Sequence, residues 1–234
     1  MNNICRIKVA PQTEFEFRTW GGKRKNAGRK AKGKRAGTPH VVRPAVAYYR
    51  PLHVTVRFAQ GLPTFRQESM VKAVRRALKG GKERFGLRVV HYSLQHDHLH
   101  CVVEAADRRA LSRGMRGLDI RIARAVNRVL GRGGRVIGDR YHARALGTPR
   151  EVRNVLKYVL LNWRHHSRNV LDAWDLASSA VVFDGWSAGR PAEDIDTDVI
   201  EDIASTRVPP DRCWLLARGW RRRGLIHPND VPGA

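Results

Sequence analysis

The sequence predicts an α+β domain, in which an antiparallel sheet carries helices on one face and is followed by an extra C-terminal helix. Leu52, Val54, Val56 and Phe58 alternate with polar residues, which is the pattern of a strand with one buried face. Further along, apolar residues recur every three or four positions, which is the pattern of amphipathic helices. The predicted order is strand, helix, strand, strand, helix, strand, and this order is ferredoxin-like.

The first helix is predicted to have its N-cap at Thr64, after the turn residues Gly61 to Pro63. Thr64 and Gln67 have the spacing of a capping box, in which each side chain bonds the backbone N–H of the other residue. The apolar positions that follow have helical spacing: Met70, Val71, Val74, Ala77 and Leu78. Gly80 and Gly81 end the predicted helix.

Two strands follow, Leu87 to Ser93 and Asp97 to Glu104, and they are close enough in sequence to form a hairpin. Because side chains alternate along a strand, His98 and His100 project from the same face. The opposite face of this strand carries small and apolar residues: Leu99, Cys101 and Val103. Two neutral imidazoles side by side are half of a metal site. The alternative is a solvated sheet face, on which the two histidines have no special role.

Asp107 is predicted to cap a longer second helix, whose apolar positions run from Leu111 to Val129. A glycine-rich segment closes that helix, and Arg140 to Leu146 is predicted as the fourth strand. The final helix has the strongest start signal in the chain: Thr148 as N-cap, Pro149 at the first helical position and Glu151 to complete a capping box.

Tyr158 and Asn162 are four residues apart, so they lie on the same side of the final helix, at the border between core and solvent. A tyrosine there is usually a packing residue. With His98 and His100, however, an amide oxygen from Asn162 would give a divalent metal three protein ligands. A free tyrosine is a poor nucleophile because its pKa is about 10, but a nearby cation favours the phenolate. Attack by Tyr158 on a DNA phosphate would leave the DNA covalently attached to the protein.

The charge of the chain predicts a polyanionic partner. It has 45 Lys plus Arg against 21 Asp plus Glu, a formal net charge of +24, and nucleic acid is the leading candidate. No long apolar run, signal peptide or amphipathic membrane helix is evident, so we expect a soluble, cytoplasmic protein with no membrane partner. The three cysteines are far apart and odd in number, which argues against a disulfide framework or a cysteine zinc site.

The chain is predicted to have three parts: a basic N-terminal arm at 1–50, a catalytic domain at 51–167 and a C-terminal extension at 168–234. The arm is expected to be disordered when free, because its like charges repel each other. It is predicted to lie along DNA phosphates, and the alternative is a solubilising tail. Its candidate contact residues are Lys23, Arg24, Lys25, Arg29, Lys30, Lys32, Lys34 and Arg35. Arg140 is the candidate contact residue in the folded domain.

The C-terminal extension combines an acidic linker, residues 193–202, with a basic segment that contains Trp214 and Trp220. These tryptophans are expected to pack against the domain, because aromatic side chains dominate burial. The alternative is base stacking beside phosphate-binding arginines.

Three motifs together carry a family resemblance: His98-Leu99-His100, then Gly138 to His142, then the helix with Tyr158 and Asn162. They resemble the single-tyrosine HUH transposases of bacterial insertion sequences, and especially the REP-associated tyrosine transposases, over about residues 50–166. The resemblance implies Mg²⁺ or Mn²⁺ at His98 and His100, with Asn162 as third ligand. It also implies that Tyr158 attacks single-stranded DNA beside hairpins, forming a 5′-phosphotyrosine and a free 3′-OH. A bacterial, nucleoid-associated protein is expected, and a homodimer is compatible with the sequence.

Other functions remain open at this stage. Asp97 stands where many relatives have Asn, and His96 precedes it, so a different ligand set is an alternative. A DNA- or RNA-binding module of the same fold would not cut, although its sheet offers His53, Tyr92 and Tyr141 rather than a dense aromatic patch. A replication or relaxase nickase would use the same chemistry. A metallo-β-lactamase-type hydrolase is disfavoured, because its histidine spacing is absent.

Overall fold

The computed structural model describes residues 46–47, 50–165, 174–188, 195–209 and 213–230. Within them, five strands form one antiparallel sheet in the order β2-β3-β4-β1-β5. The strands are β1 (Leu52–Arg57), β2 (Glu83–Arg84), β3 (Leu87–Leu94), β4 (His98–Ala105) and β5 (His142–Ala145). The middle strand β4 lies between β3 and β1, so residues on β4 have neighbours on both sides.

The described helices surround this sheet. They are α1 (Glu68–Gly81), α2 (Arg108–Val129), α3 (Pro149–Leu161), α4 (Thr197–Ser205) and α5 (Trp214–Ala217), with short 3₁₀ helices at Asn162–His165, Ala180–Val182 and Gly219–Arg223. The predicted α+β architecture is confirmed, with its antiparallel sheet, two helices on one face and an extra helix after β5. No helix in these residues is long and apolar enough to cross a membrane.

The first hydrophobic core lies between the sheet and the helices α1 and α2. Val54, Leu99 and Cys101 point into it from the central strands, as strand alternation predicts. Burial raises the pKa of the Cys101 thiol, so this residue is a small core side chain. Helix α2 approaches β3 closely at Gly114, where a Cβ atom would collide with the side chain of Leu87.

The second core lies on the opposite face of the sheet, where α3 packs. Val102 of β4 contributes to it, together with Leu156 and Val159 of α3 and Trp220 of the C-terminal extension. A bulge in β3 between Val89 and His91 shifts the register there. Because both faces of the sheet are covered, seven of the eight residues of β4 are buried, and His98 is partly exposed.

Two predicted helix starts are confirmed and one is wrong. Asp107 accepts a hydrogen bond from the backbone of Ala110, and Thr148 forms the predicted capping box with Glu151. Helix α1, however, begins at Glu68, after an N-cap residue that makes no side-chain cap bond. Thr64 lies outside the helix, because its hydroxyl bonds Nδ1 of His96 at 2.8 Å and accepts from the backbone of Arg66.

Three further expectations are corrected. Tyr92 and Tyr141, two of the ring side chains that the sheet was predicted to offer to a nucleic acid, are both buried, so they offer no base-stacking patch. The fourth strand is shorter than predicted and covers only His142–Ala145. Part of the predicted acidic linker is helix α4, and its Asp202 contacts Arg75 at 3.3 Å and Lys79 at 3.6 Å. Opposite charges thus hold this segment against α1.

Candidate active site

Strand β4 brings His98 and His100 to the face of the sheet that α3 covers. Leu99, between them, is fully buried in the first core, which fixes the orientation of the two flanking side chains. In the register of β4 with β1, His100 lies opposite Thr55 and His98 lies opposite Arg57. The predicted pair of histidines therefore lies on the middle strand of the sheet, with His98 at the first residue of that strand.

The Nε2 atoms of the two histidines converge. Nε2 of His98 lies 3.0 Å from Nε2 of His100. The other ring nitrogens contact outer partners: Nδ1 of His98 is 2.6 Å from Oδ1 of Asp97. Nδ1 of His100 is 3.1 Å from both Nε2 of His53 and Oγ1 of Thr55. A proton on each Nδ1 would leave both Nε2 lone pairs free to bind a metal ion.

Burial keeps the inner part of this cluster uncharged. It lowers the pKa of His100 to about 2, with a further contribution from the charges of His98 and His53. It lowers the pKa of His53 to about 4, helped by the charges of Arg144 and His142. Both imidazoles are therefore neutral near pH 7, and a neutral imidazole is the form that binds metal ions.

Helix α3 places Tyr158 beside the histidines. Its capping box and its buried apolar side seat the helix on the second core, and Tyr158 is partly buried at the edge of that core. The hydroxyl of Tyr158 lies 3.4 Å from Nε2 of His100. The phenol ring also makes edge-to-face contacts with His100 and His53, at centroid distances of 5.2 and 5.9 Å. The structure thus brings together three of the predicted site residues.

Asn162 lies one turn after Tyr158, at the first residue of the 3₁₀ helix that follows α3. It is buried, and its Nδ2 atom has no hydrogen-bond partner. Among the described residues, no hydrogen bond joins Asn162 to His98 or His100. Its role as a ligand therefore stays a prediction.

The histidine pair fits a divalent metal ion. Two ligands at adjacent positions of an octahedral Mg²⁺ ion are about 3 Å apart, and the two Nε2 atoms are 3.0 Å apart. In the part of the chain that the structure describes, no group of three or more His, Cys, Asp or Glu side chains is arranged to hold a metal. Further ligands would therefore be oxygens, either the amide of Asn162 or groups of the substrate.

Sequence reasoning missed the outer partners of the histidines as site residues. His53 and Thr55 lie on the polar side of β1, whose alternation was visible in the sequence. They contact His100 because β1 pairs with β4. This pairing brings together residues that are 47 positions apart (His53 and His100) and 45 positions apart (Thr55 and His100) in the sequence. Asp97 was noted as a departure from the family pattern, and the structure shows it bonded to His98, which lowers the pKa of its carboxyl group.

The predicted DNA-contact residues are only partly described. The eight basic residues of the arm, from Lys23 to Arg35, lie outside the described residues. Arg140 is exposed, next to Asp139, whose carboxylate accepts from the backbone N–H of Arg140. Of the tryptophans in the C-terminal extension, Trp186 and Trp220 are buried, whereas Trp214 is exposed.

Two solved structures are similar to the chain. A REP-associated tyrosine transposase bound to a REP hairpin has a TM-score of 0.46 at 14% identity, covering 56% of this chain and 75% of that one. A putative transposase from Deinococcus radiodurans R1 has a TM-score of 0.34 at 14% identity, covering 53% and 94%. No curated protein matches the chain significantly.

The central part of the chain carries the family assignment. Residues 48–161 match the family described as IS200-like transposases, and this range includes the histidine pair and Tyr158. Transposases of this kind act on DNA by cutting and rejoining it. Residues 48–161 of this chain are therefore similar to the IS200-like transposases.

Proposed function

We propose that this protein is a metal-dependent strand transferase that cuts single-stranded DNA beside hairpins through a 5′-phosphotyrosine intermediate. The observation that carries the proposal is that Nε2 of His100 contacts both Nε2 of His98, at 3.0 Å, and the hydroxyl of Tyr158, at 3.4 Å. A tyrosine that served only for packing would not need its hydroxyl beside the ring nitrogen of a buried, neutral histidine.

His98 and His100 would hold Mg²⁺ or Mn²⁺, and Asn162 would supply an amide oxygen. A bound divalent ion would withdraw charge from the scissile phosphate and so stabilise the transition state. Asp97 and His53 would orient the two imidazoles from behind, because each contacts the Nδ1 atom that faces away from the other histidine.

The covalent step is a transesterification. The phenol oxygen of Tyr158 bonds to the phosphorus while the bond from phosphorus to the 3′ oxygen breaks. The phenolic proton is balanced by the proton that the leaving oxygen gains, which gives a free 3′-OH. Attack by a 3′-OH on the phosphotyrosine reverses these changes and rejoins DNA without an external energy source.

Positive side chains flank this site. Arg57 of β1 is exposed, and its charge contributes to the lowered pKa of Asp97. The charge of Arg144 on β5 contributes to the lowered pKa of His53. Both lie next to the polar cluster in the sheet register. Guanidinium groups at these positions attract a phosphodiester and stabilise the charge that develops on it.

The test is an adduct assay on the full chain. The probe is a DNA strand with one fixed short hairpin and randomised single-stranded flanks, labelled at either end and incubated with Mn²⁺. A 5′-phosphotyrosine retains the downstream fragment, so we expect an SDS-stable adduct with the 3′ label. The 5′-labelled fragment should be released with a 3′-OH.

Two phenylalanine variants make the test specific. Tyr158→Phe should lose the adduct but keep DNA binding, and Tyr141→Phe, a matched change at a buried tyrosine, should keep both. An undiminished adduct in Tyr158→Phe would overturn the assignment of the nucleophile. Binding without cutting in the unaltered protein would instead indicate a DNA-binding module.

A further inference from the structure

The described part of the C-terminal extension has one exposed tryptophan, which lies among exposed arginines. The Trp214 side chain is 49% exposed, and the guanidinium of Arg222 lies 4.9 Å from the centre of its ring. Arg218 and Arg223 are also exposed, and none of the three arginines forms an ion pair with any of the described residues. We refer to Trp214, Arg218, Arg222 and Arg223 as the Trp214 platform.

The Trp214 platform is held against the helix that carries Tyr158. Leu216 and Trp220, on either side of Arg218, are buried in the second core together with the apolar side of α3. Arg153 of α3 donates hydrogen bonds to the carbonyls of Gly224 and Leu225, at 2.9 and 2.8 Å. These contacts hold the segment in place while leaving Trp214 at the surface.

Trp214 is not needed to anchor this segment in the core. Trp220, in the same segment, is 2% exposed and stacks on Phe183, so this segment already has its aromatic anchor. Gly219 lets the indole lie close to the backbone, because a Cβ atom there would be 2.6 Å from Cζ3 of Trp214. The ring is thus held in one orientation with about half of its surface open.

An exposed indole beside several guanidinium groups matches the chemistry of a single nucleic acid strand. An unpaired base offers a flat face that stacks on an aromatic ring, and the flanking phosphates attract arginines. In a duplex the base faces are already stacked on each other, so only the phosphates remain available.

We propose that the Trp214 platform binds single-stranded DNA, with one base on Trp214 and the adjacent phosphates on Arg218, Arg222 and Arg223. This inference rests on the proposed function, because the DNA strand that the platform binds is the one that Tyr158 cuts. The second core joins the platform to α3, so a strand held there is anchored to the same body as the nucleophile.

The test measures binding alone. All variants carry Tyr158→Phe, and the probe is a fluorescein-labelled 20-nucleotide oligodeoxythymidine, which has no hairpin. We expect Trp214→Ala to weaken binding about tenfold at fixed salt, from the loss of one stacked base. Changing Arg218, Arg222 and Arg223 to Gln should reduce the slope of log affinity against log salt by about 2.

Matched controls come from the other face of the sheet. Phe85 is 53% exposed and lies 5.3 Å from the guanidinium of Arg113, so Phe85→Ala removes a similar exposed aromatic–arginine pair. Changing Arg116, Arg124 and Arg128 of α2 to Gln removes the same charge. Equal losses in the control and platform variants would overturn the proposal.

Two further results separate the alternatives. If Trp214→Ala weakens binding to a 20-base-pair duplex as much as to the single strand, the platform is a duplex contact and the proposal is wrong. If Trp214→Ala binds oligodeoxythymidine normally with an unchanged melting temperature, the platform binds no strand. Neither result depends on whether Tyr158 forms an adduct, so the failure of the proposed function is distinguishable from the failure of this proposal.

Discussion

Nε2 of His53 lies 3.1 Å from Nδ1 of His100, and this contact links β1 to the inner histidine of the candidate metal pair. His53 also contacts the ring of Tyr158. One partly buried, neutral imidazole therefore touches both a proposed ligand and the proposed nucleophile. We propose that His53 orients His100 and does not itself bind the metal.

We therefore predict that His53→Ala weakens Mn²⁺ binding to the DNA-free chain by roughly 10-fold or more. Isothermal titration calorimetry measures this without any DNA cleavage. His53→Gln should recover part of the affinity, because an amide can occupy the position of Nε2. His227→Ala, a change at an exposed histidine of the C-terminal extension, serves as control. Unchanged affinity in His53→Ala would show that the contact has no role in metal binding.

The second prediction concerns the form of the DNA. Tyr158 lies between a helix and a sheet, and bending a stiff duplex into such a cleft costs several kcal/mol. We expect cleavage of single-stranded DNA next to a hairpin, little cleavage of the same sequence fully paired, and none of the corresponding RNA. The three rates should be compared at one salt concentration. Equal rates on single-stranded and paired DNA would contradict the prediction and indicate a duplex nickase.

The third prediction concerns the basic arm. We propose that its eight Lys and Arg residues between Lys23 and Arg35 contact DNA phosphates. Each neutralised phosphate adds about 0.7 to the salt slope on single strands and about 0.9 on duplex. A chain without residues 1–45 should therefore bind more weakly and with a shallower slope. A slope identical to that of the full chain would mean that the arm makes no phosphate contacts.

The fourth prediction compares two glycines of α2. Gly114 faces Leu87 at a distance that leaves no room for a methyl group, whereas Gly117 has only an ordinary contact, 3.4 Å, with Phe85. Gly114→Ala should lower the free energy of unfolding by about 1–3 kcal/mol. Gly117→Ala should raise it by up to about 1 kcal/mol, since alanine favours helix. Urea unfolding measures both, and equal effects would contradict the close approach of α2 to β3.

The fifth prediction concerns His91, which is fully buried and lies 3.2 Å from the hydroxyl of Ser179. Burial, assisted by the charge of Arg207, lowers its pKa well below the ordinary value of 6.5. Below pH 6.5 the unfolded chain therefore binds a proton that the folded chain does not, and stability falls as the pH decreases. His53 and His100 act in the same direction, because burial also lowers their pKa values.

The measurement is the free energy of unfolding between pH 7 and pH 5. His91→Gln cannot take up this proton, so its pH slope should be shallower than that of the unaltered chain by up to about 1.4 kcal/mol per pH unit. The comparison uses slopes, so a general loss of stability in the variant does not affect it. Parallel slopes would mean that the folded and unfolded chains protonate His91 over the same pH range, which would contradict the lowered pKa.

The sequence by itself determined the features that depend on near neighbours along the chain. Alternation in β1 and β4 identified their buried faces and put His98 and His100 on one side. Asp107 and Thr148 identified the starts of α2 and α3, because a cap bond joins residues only three positions apart. These interactions form wherever the segment folds, so a local pattern is sufficient to predict them.

The tertiary structure alone decided which distant residues meet. His53 reaches His100 through the pairing of β1 with β4, and Tyr158 reaches the same ring across 58 positions because α3 docks on that face. Thr64 bonds His96 instead of capping α1, and Trp220 is buried while Trp214 is exposed. Each outcome depends on which groups compete for the same space and hydrogen bonds in the folded chain. A local sequence pattern does not show which distant residues those groups belong to.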